Sequence, residues 1–141
     1  MAGMSNSLAN NMINWSLRAQ SPTQPRTLYY ALFTSDPGDN WSSGTEIDRT
    51  VATWYQRQPT GAWAAPTNGV TYNTTSVTFP AVTGSSITIT HIGIVEGSSA
   101  TDGTATLLYS QALSSSKTMT VNDQYAIVST GSSGDFTITM V

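Results

Sequence analysis

His91 is the single histidine of a chain that has no cysteine, so acid–base or nucleophilic chemistry must run through it or through carboxylates. A Ser-His-Asp triad needs His91 as its base, yet no Gly-x-Ser-x-Gly turn presents a nucleophilic serine. Thr90-His91-Ile92-Gly93-Ile94 reads as mid-strand, and a structural histidine bonded to backbone is expected there. Asp36, Asp39, Glu46 and Asp48 could supply a carboxylate pair for glycoside hydrolysis, but nothing around them reads as a sugar-distorting scaffold. Asp36, Asp39 and Asn40 offer oxygens of the kind calcium accepts. Their Asp-Pro-Gly-Asp-Asn spacing is not an EF-hand loop, and it is a good turn in its own right. Glu46 is expected to pair with Arg57 or Arg49. No catalytic, metal or cofactor residue is assigned, and no enzymatic activity is expected.

The aromatic residues carry more information. Trp41 in a polar loop and Trp63 among alanines suit inter-subunit anchors or sugar-stacking platforms, and either ring can instead fold back to cap its own domain. Leu8, Met12 and Trp15 fall at i, i+4 and i+7, one stripe of a helix. With Trp54, these make six candidate interface residues: Leu8, Met12, Trp15, Trp41, Trp54 and Trp63. Asn14, Asn40 and Asn73 match the N-glycosylation pattern, which is read as chance in a chain so rich in Ser and Thr.

These residues must be positioned by one short helix and many strands. Ser5 or Ser7 can cap the helix, and Pro22 and Pro25 stop it near Arg18. Three turns with one apolar stripe are marginal alone, so the helix must dock on its own domain or on a neighbour. Strand patterns follow at 27–34, 51–58, 70–80, 86–96, 104–113, 117–121, 124–129 and 135–141. Thr27–Thr34 is continuously apolar, as a strand buried on both faces should be. Residues 51–58 alternate, with Val51, Thr53, Tyr55 and Arg57 on one face. In 86–96, Ile87 and Ile89 share one face with His91, and Ile92 and Ile94 take the other. Short strands with frequent turns and no intervening helices predict an antiparallel β-sandwich or jelly roll of about eight strands. Residues 1–26 form the helix and Pro-rich connector, and 27–141 form a single β-sandwich domain.

Composition narrows the function classes. The chain has 141 residues, enough for one domain, and only 9% are charged. Its 19 serines and 23 threonines occupy the strand faces where Lys and Glu usually stand, so the usual guard against edge-to-edge association is missing. Such a surface suits packing into an assembly, and a trimer is expected. Four Trp and six Tyr argue against disorder. A net charge of −3 with five basic residues argues against a nucleic-acid partner. No apolar run approaches a membrane span. No secretory signal is visible, so synthesis in a cytoplasm is expected, and both chain ends are expected to be held by neighbours.

The order of motifs resembles a family of small bacteriophage virion proteins often labelled tail-fibre proteins. The matching segments are Leu8-Ala9-Asn10, Leu28–Thr34 with Pro37, Gly44-Thr45-Glu46, Tyr55-Gln56-Arg57-Gln58, Thr78-Phe79-Pro80, Thr90–Ile94, and Leu107-Leu108 through Lys117-Thr118. Residues 54–66, with two extra Trp, depart from that pattern. The resemblance implies a non-enzymatic virion protein. A fibre normally needs a long, repetitive chain. A compact unit of this size therefore favours a head decoration (cement) protein bound to the major capsid protein, with a tail fibre, adaptor or baseplate component as the alternative. A glycan is the less favoured partner.

Overall fold

The computed structural model describes residues 3–23, 25–41, 44–130, 133–134 and 136–140. The elements run β1 (Gly3–Met4), α1 (Asn6–Arg18), β2 (Thr27–Phe33), β3 (Gln58–Pro59), β4 (Val70–Tyr72), β5 (Val77–Thr78), β6 (Ile87–Gly97), β7 (Thr106–Met119), β8 (Ala126–Ile127), β9 (Ser129–Thr130), β10 (Ser133–Gly134) and β11 (Thr137–Thr139). All strand pairing is antiparallel. A five-stranded sheet in the order β1-β7-β6-β2-β3 faces the small sheets β11-β4 and β5-β8.

The apolar run of β2 fills both faces of the main sheet, as predicted. Tyr30 and Leu32 point into the larger core with Ile92 and Ile94 of β6 and Phe79, Val82, Ile127, Phe136 and Ile138 of the opposing layer. Tyr29, Ala31 and Phe33 point the other way, into a smaller cluster with Val95 and Leu107. A sheet covered on both faces by apolar side chains is the sandwich condition, because each face must be removed from water.

Several strands differ from the sequence pattern, each for a local reason. Residues 51–57 are not a strand, and only Gln58 of that segment joins one, β3. The Asp48 carboxylate accepts the Thr50 N–H (2.8 Å) and hydroxyl (2.7 Å), and Ala52 N–H closes on Asp48 O (2.7 Å). This side-chain-to-backbone bonding makes a turn out of an alternating segment and leaves Val51 80% exposed. The 70–80 segment divides into β4 and β5 at Asn73. The segments 104–113 and 117–121 are instead one strand, β7, because Ser114-Ser115-Ser116 contains no Gly or Pro to end it. The register slips there: Ala112 pairs with His91 and Lys117 with Ile89, so four β7 residues oppose Thr90 alone. That bulge brings Ile89 onto the same core as Ile92 and Ile94, where strict alternation had separated them. Strands β8 and β11 are shorter than the 124–129 and 135–141 segments, and Asp135 and Val141 lie outside the described residues, as do Met1 and Ala2 at the other end.

Candidate protein-contact site

The platform beneath the site is a polar network at one end of β2. Arg57 grips Glu46 with two hydrogen bonds, Nε to Oε1 (2.7 Å) and Nη2 to Oε2 (2.6 Å). The Tyr55 hydroxyl donates to the same Oε1 (2.7 Å) and accepts the Leu32 N–H (3.0 Å). Arg57 Nη1 reaches Asp102 O (2.8 Å), which joins the β6–β7 turn to the 44–60 loop. Burial alone would lower the Arg57 pKa, but the Glu46 hydrogen bond and charge outweigh it and hold it above the ordinary value. Burial, then the Glu46 charge, push the Tyr55 phenol well up. The expected Glu46–Arg57 ion pair is thus present, while Arg49 donates to Ala100 O instead (2.8 Å).

The β6–β7 turn is organised by Asp102. Its Oδ2 accepts from Ser98 N–H (2.8 Å) and hydroxyl (3.0 Å), and its Oδ1 from Thr104 N–H (2.8 Å) and hydroxyl (2.7 Å). Arg26 adds an ion pair at 3.2 Å, tying the connector after α1 to this turn. The Ser98 N–H, then the Thr104 hydroxyl and N–H, hold the Asp102 pKa well below its ordinary 3.8. Hydrogen bonds from Thr50 and Thr120 lower Asp48 and Asp123 in the same way. A carboxyl with a depressed folded-state pKa contributes stability above its unfolded value and loses it as pH falls through the folded value. The melting temperature should therefore fall on acidification below pH 3.8. Asp102→Asn should flatten that acid limb, measured by thermal melts in a pH series.

Helix α1 is laid against this platform at its first turn only. Gly3 and Met4 pair with Ser110 and Tyr109 on the edge of β7, and Ser5 N–H donates to Leu108 O (2.8 Å). Ser5 is the N-cap, its hydroxyl accepting the Leu8 N–H (3.3 Å), as the sequence predicts. Asn6 N–H donates to Asp39 O (3.1 Å), and its side-chain amide donates to Asn40 Oδ1 (3.0 Å). The helix ends at Ala19 in the left-handed region (φ 53°), just before the prolines.

No residue of α1 is fully buried, and Leu8 and Met12 are half-buried. Leu8, Met12 and Trp15 line a cleft of about 340 Å³ closed by Pro22, Pro25, Glu96 and Leu108, and Trp15 remains 54% exposed. Ile13 and Leu17, four residues apart, form a second stripe that is 51% and 81% exposed. These two were missed in the sequence because the Leu8-Met12-Trp15 stripe already accounts for one amphipathic face. At about 100° per residue the two stripes point roughly 150° apart around the helix, more than a single docking surface can use.

The other three tryptophans are spent within the chain. Trp41 packs edge-on to Phe33 (5.4 Å between centroids) with the Arg57 guanidinium 5.5 Å from its ring centre, capping the smaller cluster. Trp54 is buried against Tyr55. Trp63 packs on Tyr30 and Phe136. The structure therefore does not gather the six candidate interface residues: Leu8, Met12 and Trp15 meet at one cleft, and Trp41, Trp54 and Trp63 sit in or over the core.

His91 is half-buried, its Nδ1 bonded to the Thr90 hydroxyl (2.9 Å) rather than to backbone, with Nε2 3.9 Å from Asp36. Asp36 accepts the Gly38 N–H (2.8 Å), a turn contact. Among the described residues no three His, Asp or Glu side chains converge as metal ligands. No helix among them is long and apolar enough to cross a membrane. Asn73 is fully buried with its amide bonded on both sides, which closes that glycosylation pattern to an enzyme.

No curated protein is a significant match to the chain. A family model described as podophage GP4 fiber I protein gp80 matches residues 3–134, which takes in β1, α1 and nearly the whole β domain. That description names a fibre, the alternative weighed against head decoration, and gives capsid decoration no support. An N-terminal helix docked on an antiparallel β domain, and a match running through both, lead to one assignment: the chain belongs to the podophage fiber I protein family, a family of phage virion structural proteins.

Proposed function

We propose that this chain is a non-enzymatic component of the podophage tail-fibre apparatus that works by protein contact, with α1 as its attachment element. The observation that carries this reading is the uncovered Ile13 and Leu17 stripe, with Trp15 exposed beside it, on a helix that has no fully buried residue. The family match supports a fibre over a capsid decoration protein. The β domain serves as the rigid body, and the neighbours are other virion proteins, including copies of the chain itself.

Burying a Leu or Ile side chain contributes about 1.5–3 kcal/mol each. Ile13→Asp with Leu17→Asp should thus weaken a contact through that stripe by more than about a hundredfold. Both positions are exposed, so the isolated chain should lose no more than ~0.5 kcal/mol per substitution. Immunoblots of purified particles are expected to show the variant absent while its free form melts like the parent. Full incorporation of the variant would overturn the role of α1. Trp15→Ala should act in the same direction, leaving the β domain folded.

A further inference from the structure

We propose that the cleft between α1 and the β domain takes the side chain of a lysine presented by another virion protein. Leu8, Met12, Trp15, Pro22, Pro25 and Leu108 wall this cleft, and Glu96 of β6 lines it with them. Glu96 is half-buried. It accepts one hydrogen bond, from the Arg26 N–H to Oε2 (3.2 Å), and makes no ion pair among the described residues. A carboxylate drawn partly out of water beside apolar walls, with one neutral donor, carries a desolvation cost that an opposite charge would offset.

The chain commits its own cations elsewhere. Of its five basic residues, Arg26 is the one bonded to Glu96, yet its guanidinium goes to Asp102 Oδ2 (3.2 Å) and Thr104 O (3.5 Å). Arg18 is bonded to Asn14 Oδ1 (3.0 Å), Arg49 to Ala100 O and Arg57 to Glu46. Lys117 acts on Asp123, whose pKa it helps to lower after the Thr120 hydrogen bonds. The charge is therefore left to a partner, and the walls select its carrier. An aliphatic stem can lie along Leu8, Met12 and the prolines with its charged end at the carboxylate, as long basic side chains do on apolar surfaces. The Trp15 ring adds an aromatic face for an ammonium. A fatty acid or other anion would be repelled by Glu96. Oε2 is already engaged by the Arg26 N–H, so the carboxylate does not offer the two open oxygens that a guanidinium fork uses, and a point charge suits it better. At about 340 Å³ the cleft holds one long side chain and is too small for a helix. It opens roughly 150° around α1 from Ile13 and Leu17, so the inference does not depend on the role given to that stripe.

The test is a titration of the ¹⁵N-labelled full chain with three capped tripeptides, Gly-Lys-Gly, Gly-Arg-Gly and Gly-norleucine-Gly, the last carrying the lysine stem without its charge. Saturable shifts at the amides of Leu8, Met12, Trp15, Glu96 and Leu108 are expected, with the lysine peptide the tightest. Glu96→Gln keeps an oxygen for the Arg26 N–H, and it should weaken the lysine peptide about tenfold while leaving the norleucine peptide unchanged. Trp15→Ala, at an exposed position, should weaken the lysine peptide about threefold. No saturable shift with the lysine peptide, norleucine or arginine binding as tightly, or unchanged affinity in Glu96→Gln would overturn the proposal. So would the same shifts appearing as the chain alone is concentrated and vanishing in Lys117→Ala, which would put a second copy in the cleft.

Discussion

Arg57→Ala is expected to destabilise the chain by about 3–5 kcal/mol, because it leaves a nearly buried carboxylate without its cation. The Arg57 side chain is 3% exposed and that of Glu46 11%. Removing the guanidinium takes two charge-assisted hydrogen bonds from Glu46 and one donor from Asp102 O, and it withdraws the cation from the Trp41 ring. Tyr55 keeps its bond to Glu46, which is too little to solvate the charge. The double replacement Arg57→Met with Glu46→Gln should recover most of the loss, since removing both charges removes the desolvation penalty as well. Denaturant unfolding of the single and double variants gives the coupling energy directly. A loss under about 1 kcal/mol for Arg57→Ala would mean the pair behaves like an exposed salt bridge.

Asn73→Ala should cost about 2–4 kcal/mol, and Asn73→Asp more, although aspartate is the closer match in shape. The Asn73 Oδ1 accepts the Phe136 N–H (3.1 Å), and its Nδ2 donates to Val128 O (3.2 Å) and Thr75 O (3.4 Å). One side chain thereby joins the end of β4, the segment after β8 and the chain entering β11. Alanine orphans a buried N–H. Aspartate keeps that acceptor but faces two carbonyl oxygens with a third oxygen and buries a charge. The introduced carboxyl would have a raised pKa, so its penalty should shrink as pH falls through that value. Unfolding curves at neutral and mildly acidic pH test both the order and the sign. Equal losses for the two variants at every pH would mean that Asn73 acts by volume alone.

What the sequence disclosed follows from how local each signal is. The cap at Ser5 and the doubly buried run of β2 were legible because neighbouring residue types determine them, and the scarcity of charges narrowed the partner of Glu46 to Arg57 or Arg49, between which only the fold decides. The turn at Asp48 was hidden because alternation at Val51, Thr53, Tyr55 and Arg57 imitates a strand, while an Asp-x-Thr hydrogen-bond pattern overrides it. The same Asp-x-Thr pattern recurs at Asp102 and Thr104, and it was the available signal for that turn. Asn73 could not be found from its own neighbours, since its two closest-bonded partners, Val128 and Phe136, lie 55 and 63 residues away. Of the candidate site, the α1 stripe was visible and its second stripe, Ile13 and Leu17, was not. For Trp41 and Trp63 the sequence left anchoring and capping both open, because polar or small neighbours surround them, and Phe33 and Arg57 hold the Trp41 ring in the capping place over the smaller cluster.

Locating the chain in a reconstruction of the intact virion tests the central claim most directly. The account predicts density for the β domain at the tail, with the Ile13 and Leu17 stripe of α1 covered by a neighbouring subunit. Density spread over the capsid lattice, or a tail position with α1 bare to solvent, would contradict it.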